Sequence, residues 1–169
     1  MKIRKAEIID IDEIMNMYSS CVNGMLDLNI DQWDSSYPNK NVISEDINNQ
    51  TFYILLINNV IIGGVNIDKI QDKTYLNIEW EDHENKFLVV HRLAVRKEYW
   101  NKGIGKKLMF FAEFLVKKNK FNSIRLDTYN SNPIAIDFYL NLGYVKKGEI
   151  LLKPNKNEYY CFEKLIFID

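Results

Sequence analysis

Cysteine and histidine are scarce in this 169-residue chain, with two of each. Cys21 and Cys161 stand alone, with no CxxC pair and no Cys/His cluster, so neither a zinc site nor a disulfide framework is expected. His83 and His91 are too few for a multi-histidine centre, and no metal is expected. With three prolines, no repeat and no low-complexity tract there is no linker, and residues 1–169 read as one domain. Charge is balanced, 22 basic against 23 acidic residues, which removes the usual ground for a nucleic-acid partner. No apolar run approaches the roughly 18–20 residues that cross a bilayer. The opening MKIRKAEIIDIDEI carries acidic residues where a signal peptide would be apolar, so a cytoplasmic protein without a membrane partner is expected. What is abundant is hydrophobic content, 47%, with 13% aromatics, enough for a substantial core.

The periodicity changes along the chain. Lys2–Ala6 alternates as a short strand, and Asp10 is placed to cap a helix carrying Ile11, Ile14, Met15, Tyr18, Val22 and Met25 on one face. Residues from Asp27 to Asn49 are polar and irregular, with a short helix near Ile43–Ile47. Thr51–Ile57 and Val60–Ile67 read as a hairpin around Asn58-Asn59. Tyr75–Trp80 and Phe87–Val95 read as strands, Gly103–Asn119 as a helix and Phe121–Thr128 as a strand. A helix runs from Asn132-Pro133 to Gly143, followed by strands at Tyr144–Ile150 and Tyr159–Phe167, the last able to serve as an edge for a second subunit. The order predicts an α+β (mixed α/β) fold with a single, mostly antiparallel sheet of about seven strands and helices on both faces.

The chemistry concentrates between Val89 and Met109. A strand enters a loop, and the loop opens a helix with Gly103 and Gly105 at its mouth. The first amides of a helix have no intrahelical partner and carry partial positive charge, so such a mouth can cradle an anion. Arg96, Lys97, Lys102, Lys106 and Lys107 against Glu98 leave a local excess of four positive charges. Asp68–Glu84 holds an opposite excess of four negative charges, which points to an anionic cofactor on one side and a cationic acceptor on the other. The glycine pair by itself could equally make a tight turn. No GxGxxG follows the first strand and no GxxxxGK[ST] occurs.

Leu93-Ala94-Val95 followed by Gly103-x-Gly105 resembles motif A of the GNAT superfamily of N-acetyltransferases, with Trp100 where the family usually has Gln or Arg. Asn132-x-x-Ala135-x-x-x-Tyr139 with Leu142-Gly143-Tyr144 resembles a later motif of the same family. The resemblance implies the acyl-coenzyme A N-acyltransferase fold, with acetyl-coenzyme A (acetyl-CoA) as cofactor. It implies that Leu93, Ala94 and Val95 face the pantetheine arm, with Trp100, Asn101, Lys102, Gly103, Ile104, Gly105 and Lys106 around the pyrophosphate. Asn132 would contact the pantetheine or phosphate portion, Ala135 would leave space beside it, and Tyr139 would lie near the thioester as general acid. An amide near Val95 would polarise the carbonyl.

For the acceptor, a primary amine of a small molecule or peptide, Glu79 is the candidate base and Gln32, Trp33, Tyr37 and His91 are candidate contacts. Each has a plainer role open to it: Tyr139 as a core aromatic, Asn132 as a helix cap, Glu79 as a solvated residue, His91 as a packed histidine, and Gln32-Trp33 with Tyr37 as a lid. The expected activity is direct transfer in a ternary complex, by a monomer or homodimer. The rival is a non-catalytic acyl-CoA sensor.

Overall fold

The structure, a computed structural model, describes residues 1–152 and 157–167. The last two positions of the expected domain, 168 and 169, lie outside the described residues. Among those described, the elements run β1 (Lys2–Lys5), α1 (Ile11–Leu26), α2 (Lys40–Asn48), β2 (Phe52–Ile57), β3 (Val60–Asp68), β4 (Phe87–Val95), α3 (Ile104–Lys118), β5 (Ser123–Tyr129), α4 (Pro133–Asn141), β6 (Val145–Ile150) and β7 (Tyr159–Leu165). The strands form one sheet in the order β1-β2-β3-β4-β5-β7-β6. The chain divides into two compact units, Met1–Ile67 with His91–Phe110, and Asp68–Val90 with the chain from Phe111 onward.

In the first unit, Asn58 and Asn59 take φ of 49° and 64°, the left-handed pair that a two-residue hairpin needs, and join antiparallel β2 and β3. α1 lays Ile14, Met17, Tyr18 and Cys21 against Ile43 and Ile47 of α2, Phe52 and Ile54 of β2, Ile61 of β3 and Ala94 of β4. Each large side chain so buried contributes about 1.5–3 kcal/mol. Gly63 and Gly64 of β3 face opposite ways, as neighbours on a strand must. A Cβ on Gly63 would meet Leu108 at 3.0 Å and Ile104 at 3.2 Å, both on α3; one on Gly64 would meet Phe52 at 2.9 Å and Met17 at 3.1 Å. So α1 and α3 cover opposite faces of β3, and the expected helices on both faces are present. Asp10 precedes α1 but does not cap it with its side chain. Its carboxylate instead accepts from Arg4 at 2.7 and 2.8 Å and from the Glu7 amide at 2.8 Å.

In the second unit, β4 runs parallel to β5 from Phe87↔Ser123 to Val90↔Leu126, and β7 lies antiparallel between β5 and β6. The expectation of β7 as an edge is therefore corrected: it is paired on both sides, and β6 takes the edge. Composition explains the exchange, since β7 buries Tyr159, Cys161, Phe162 and Glu163, whereas β6 carries the charges of Lys146, Lys147 and Glu149 that suit an edge.

A second correction concerns Tyr75–Trp80, which is not a strand. Lys73–Asn77 forms a 3₁₀ turn capped by Asp72, which accepts from the Thr74 amide at 2.8 Å and its hydroxyl at 2.7 Å. Trp80 folds back to donate from Nε1 to the Tyr75 carbonyl at 2.9 Å. Local hydrogen bonds satisfy the backbone that a ladder would otherwise use.

Candidate functional site

The mouth of α3 is open and poor in side chains. Asn101 and Gly103 adopt φ of 59° and 73°, left-handed values that turn the loop into the helix. A Cβ on Gly103 would have nothing within 4 Å. The first helical hydrogen bond runs from the Lys107 amide to the Gly103 carbonyl at 3.1 Å. By helix geometry the amides of Ile104, Gly105 and Lys106 then have no partner in the helix. Lys106 lies over the Phe110 ring at 5.3 Å and Lys102 over Tyr99 at 5.1 Å, both near the mouth. Unpaired amides, helix dipole and flanking ammonium groups make a fit for a diphosphate.

The side chain of Trp100, which stands where the family usually has Gln or Arg, has a packing role. Its indole turns inward against the apolar clusters of the first unit and donates from Nε1 to the Val95 carbonyl at 2.8 Å. One lone pair of that carbonyl is thereby engaged. Burial pushes the Cys21 thiol up to about 11, opposed by a backbone hydrogen bond from Val95. Leu93 and Val95 are half-buried, and Ala94 is buried under α1.

His91 is half-buried at the start of this part of β4. Next to it Arg92 has φ of 53°, a left-handed conformation uncommon for a long side chain. Its guanidinium donates to Asp46 of α2 at 2.8 and 2.7 Å and to the Tyr37 hydroxyl at 3.3 Å. Gln32 and Trp33 are half-buried in the same loop as Tyr37, with Trp33 edge-on to Tyr18 at 5.7 Å. The Asp46–Arg92 pair is a feature that sequence reasoning missed, because residues 46 positions apart, one on α2 and one on β4, leave no periodic signal.

In the second unit Asn132 caps α4, its side chain accepting from the Ala135 amide at 3.0 Å. The cap places Asn132, half-buried Ala135 and buried Tyr139 along one helix face. The Tyr139 ring packs on Tyr144 at 5.9 Å and Phe162 at 6.0 Å. Burial, with the Asp127 charge adding to it, holds the Tyr139 hydroxyl above its ordinary value. Asp127 itself, on β5, accepts from the Tyr75 hydroxyl at 2.6 Å and was not singled out from sequence.

Glu79 is exposed in the irregular stretch after the 3₁₀ turn, so it is not held on a strand beside Trp80.

The acidic stretch around it is largely used internally. Asp82 accepts from the Glu84 and Lys86 amides and from Ser123, Asp72 caps the turn, Asp68 accepts from the Ile70 amide, Glu81 pairs with Lys147, and Glu84 with Lys86. These contacts give the carboxylates structural work, and the two ion pairs reduce the negative charge of the stretch without cancelling it. No group of three or more residues able to hold a metal occurs among the described residues. No helix among them is long and apolar enough to cross a membrane.

Comparison with known proteins agrees with this geometry. The model of the family described as "Acetyltransferase (GNAT) family" matches residues 13–144. A Staphylococcus aureus Mu50 protein that carries a provisional acetyltransferase assignment is 26% identical, with a TM-score of 0.77 over 99% of this chain and 100% of its own. A GNAT-family acetyltransferase from Streptococcus agalactiae is 22% identical, with a TM-score of 0.84 over 97% and 94%. The PaiA N-acetyltransferase of Thermoplasma acidophilum, solved in complex with coenzyme A, is 18% identical, with a TM-score of 0.73 over 97% and 98%.

Proposed function

Because the chain belongs to the GNAT family of acetyltransferases, and so is an acyltransferase that uses an acyl-coenzyme A, we propose that it moves an acetyl group from acetyl-CoA to a primary amine of a small molecule or peptide, by direct attack in a ternary complex. The observation that carries the reading is the open cradle at α3, with left-handed Gly103 and the unpaired amides that follow it. In the first unit, backbone groups from Asn101 to Lys106 would hold the pyrophosphate and Leu93 and Val95 the pantetheine; in the second, Asn132 and Ala135 keep the cofactor role that the later motif implies. Acetyl-CoA, when bound, supplies an activated acyl thioester.

The chain's own residues then have separate tasks. Tyr139 is the proposed donor to the departing sulfur. A phenol held above its ordinary value stays protonated at neutral pH, and against a thiol near 8.5 it serves better by hydrogen-bond donation than by full proton transfer. Direct attack is favoured because burial raises both cysteine thiols, which leaves neither Cys21 nor Cys161 suited to carry the acyl group. Glu79, being exposed, would take the amine's proton through solvent. His91, Gln32, Trp33 and Tyr37 would face the acceptor. Residues 1–169 then act as one transferase domain in the cytoplasm, as a monomer or homodimer, without nucleic-acid or membrane partners.

Calorimetric titration with acetyl-CoA and with coenzyme A, followed by thiol-release assays against an amine panel, tests this reading. Binding plus release that depends on one amine supports it, and absence of binding overturns it.

A further inference from the structure

We infer that Arg92 is a positioning residue for the acceptor, clamped between Asp46 of α2 and Tyr37 of the loop after α1; the inference rests on the transferase reading above. Arg92 immediately precedes Leu93-Ala94-Val95, the strand segment proposed to face the donor, and it turns β4 with its left-handed φ of 53°. That conformation is disfavoured for any side chain with a Cβ, so it persists only where its surroundings over-determine it. Three contacts in the first unit do so. The Tyr18 hydroxyl donates to the Arg92 carbonyl at 2.6 Å. Arg92 Nε and Nη2 donate to the two oxygens of Asp46 at 2.8 and 2.7 Å. Nη1 donates to the Tyr37 hydroxyl at 3.3 Å.

The pair is buried, with side-chain exposures of 15% for Arg92 and 10% for Asp46. A buried ion pair commonly adds no stability over well-packed apolar residues, and what it fixes is geometry. Here the geometry fixed is that of a loop. Tyr37 is bridged to Asp34, and Trp33 rests edge-on against Tyr18 at 5.7 Å, the same Tyr18 that holds the Arg92 carbonyl. One guanidinium therefore ties α2, the bend in β4 and the aromatic loop to a common frame. Both the loop that would form the acceptor wall and the strand that would present the donor take their position from it.

The test uses the full chain, with the amine identified by the thiol-release panel. Tyr37→Phe removes one hydrogen bond at the loop and keeps the ring; Asp46→Asn keeps the shape and removes the charge. Because Asp46→Asn strands a largely buried guanidinium and can fail by unfolding, and Tyr37 also belongs to the proposed acceptor wall, Arg92→Lys, which keeps the charge and loses the forked grip on Asp46 and Tyr37, is the decisive variant and should raise the amine KM with kcat and KM for acetyl-CoA retained; an unchanged amine KM in it overturns the inference. Tyr37→Phe should raise KM for the amine roughly tenfold, the low end for loss of one charge-assisted hydrogen bond, with kcat and KM for acetyl-CoA within about twofold of wild type. Asp46→Asn, where it folds, should raise the amine KM further in the same pattern. An unchanged amine KM in Tyr37→Phe, or a KM for acetyl-CoA that rises in step with it, overturns the inference while coenzyme A binding by wild type stands. Failure of wild type to bind coenzyme A overturns the transferase reading and this one with it.

Discussion

Replacing Gly24 by Ala sets two effects against each other, and the packing of Trp100 decides the sign. Gly24 lies inside α1, where alanine is favoured over glycine by about 1 kcal/mol. The added Cβ, however, would lie 2.7 Å from Trp100 Cη2 and 3.0 Å from Cζ2, with Lys97 Cδ at 3.1 Å. The indole cannot swing aside freely, because its Nε1 is bonded to the Val95 carbonyl at 2.8 Å. Overpacking of this kind costs about 1–3 kcal/mol, so the net change is a loss of about 1 kcal/mol, or about 2–4 °C in Tm. Urea unfolding of Gly24→Ala, Trp100→Phe and the double variant measures it. In the Trp100→Phe background the clash is gone and Gly24→Ala should stabilise, giving a coupling of about 2 kcal/mol. Coenzyme A affinity should fall in Gly24→Ala, since Trp100 leads directly into the left-handed Asn101 and Gly103. Equal stabilisation in both backgrounds would refute the packing argument.

Gly103→Asp should weaken coenzyme A binding by at least tenfold, because it puts a negative charge at the helix mouth, and should lower Tm by about 2–4 °C, because the left-handed φ of 73° strains a residue with a Cβ even in open space; calorimetry and a thermal melt check both parts. Tyr139→Phe should lower kcat by on the order of 10²-fold with coenzyme A affinity retained, and equal turnover would reduce Tyr139 to a packing residue. Asp10 is held below its ordinary 3.8 by hydrogen bonds from Arg4, so its contribution is present above that value and lost as pH falls through the lower folded-state value. The stability gap between wild type and Asp10→Asn in urea should therefore be full at neutral pH and close in acid; a gap independent of pH would contradict the assignment.

Most elements were legible because local rules agree with the tertiary outcome. Phe87–Val95 is the strand its β-branched run predicts, the Asn58-Asn59 turn is left-handed, and Asn132 and Gly143 bound α4 as cap and left-handed stop. Tyr75–Trp80 failed for the converse reason. Its aromatic and apolar residues suit a strand, but Asp72 and Thr74 close a turn first, and Tyr75 and Trp80 pack instead against Val89, Tyr129 and Tyr159. The acidic residues from Asp68 to Glu84 form one run in a list of charges, but their structural tasks differ: Asp68, Asp72 and Asp82 accept from nearby backbone amides, Glu81 and Glu84 pair with lysines, and Asp82 is buried.

By itself the sequence determined the glycine turn that opens α3, the order of the elements apart from Tyr75–Trp80, and the motif pairs that mark the family, because each is written in residues close together along the chain. Only the tertiary structure decided that Arg92 takes a left-handed φ within β4 and grips Asp46 and Tyr37, that the Trp100 indole packs against α1 and bonds the Val95 carbonyl, that Asp127 meets Tyr75, and that β7 lies inside the sheet. Those contacts join residues distant in sequence through burial and hydrogen-bond satisfaction, which have no period and no spacing to read.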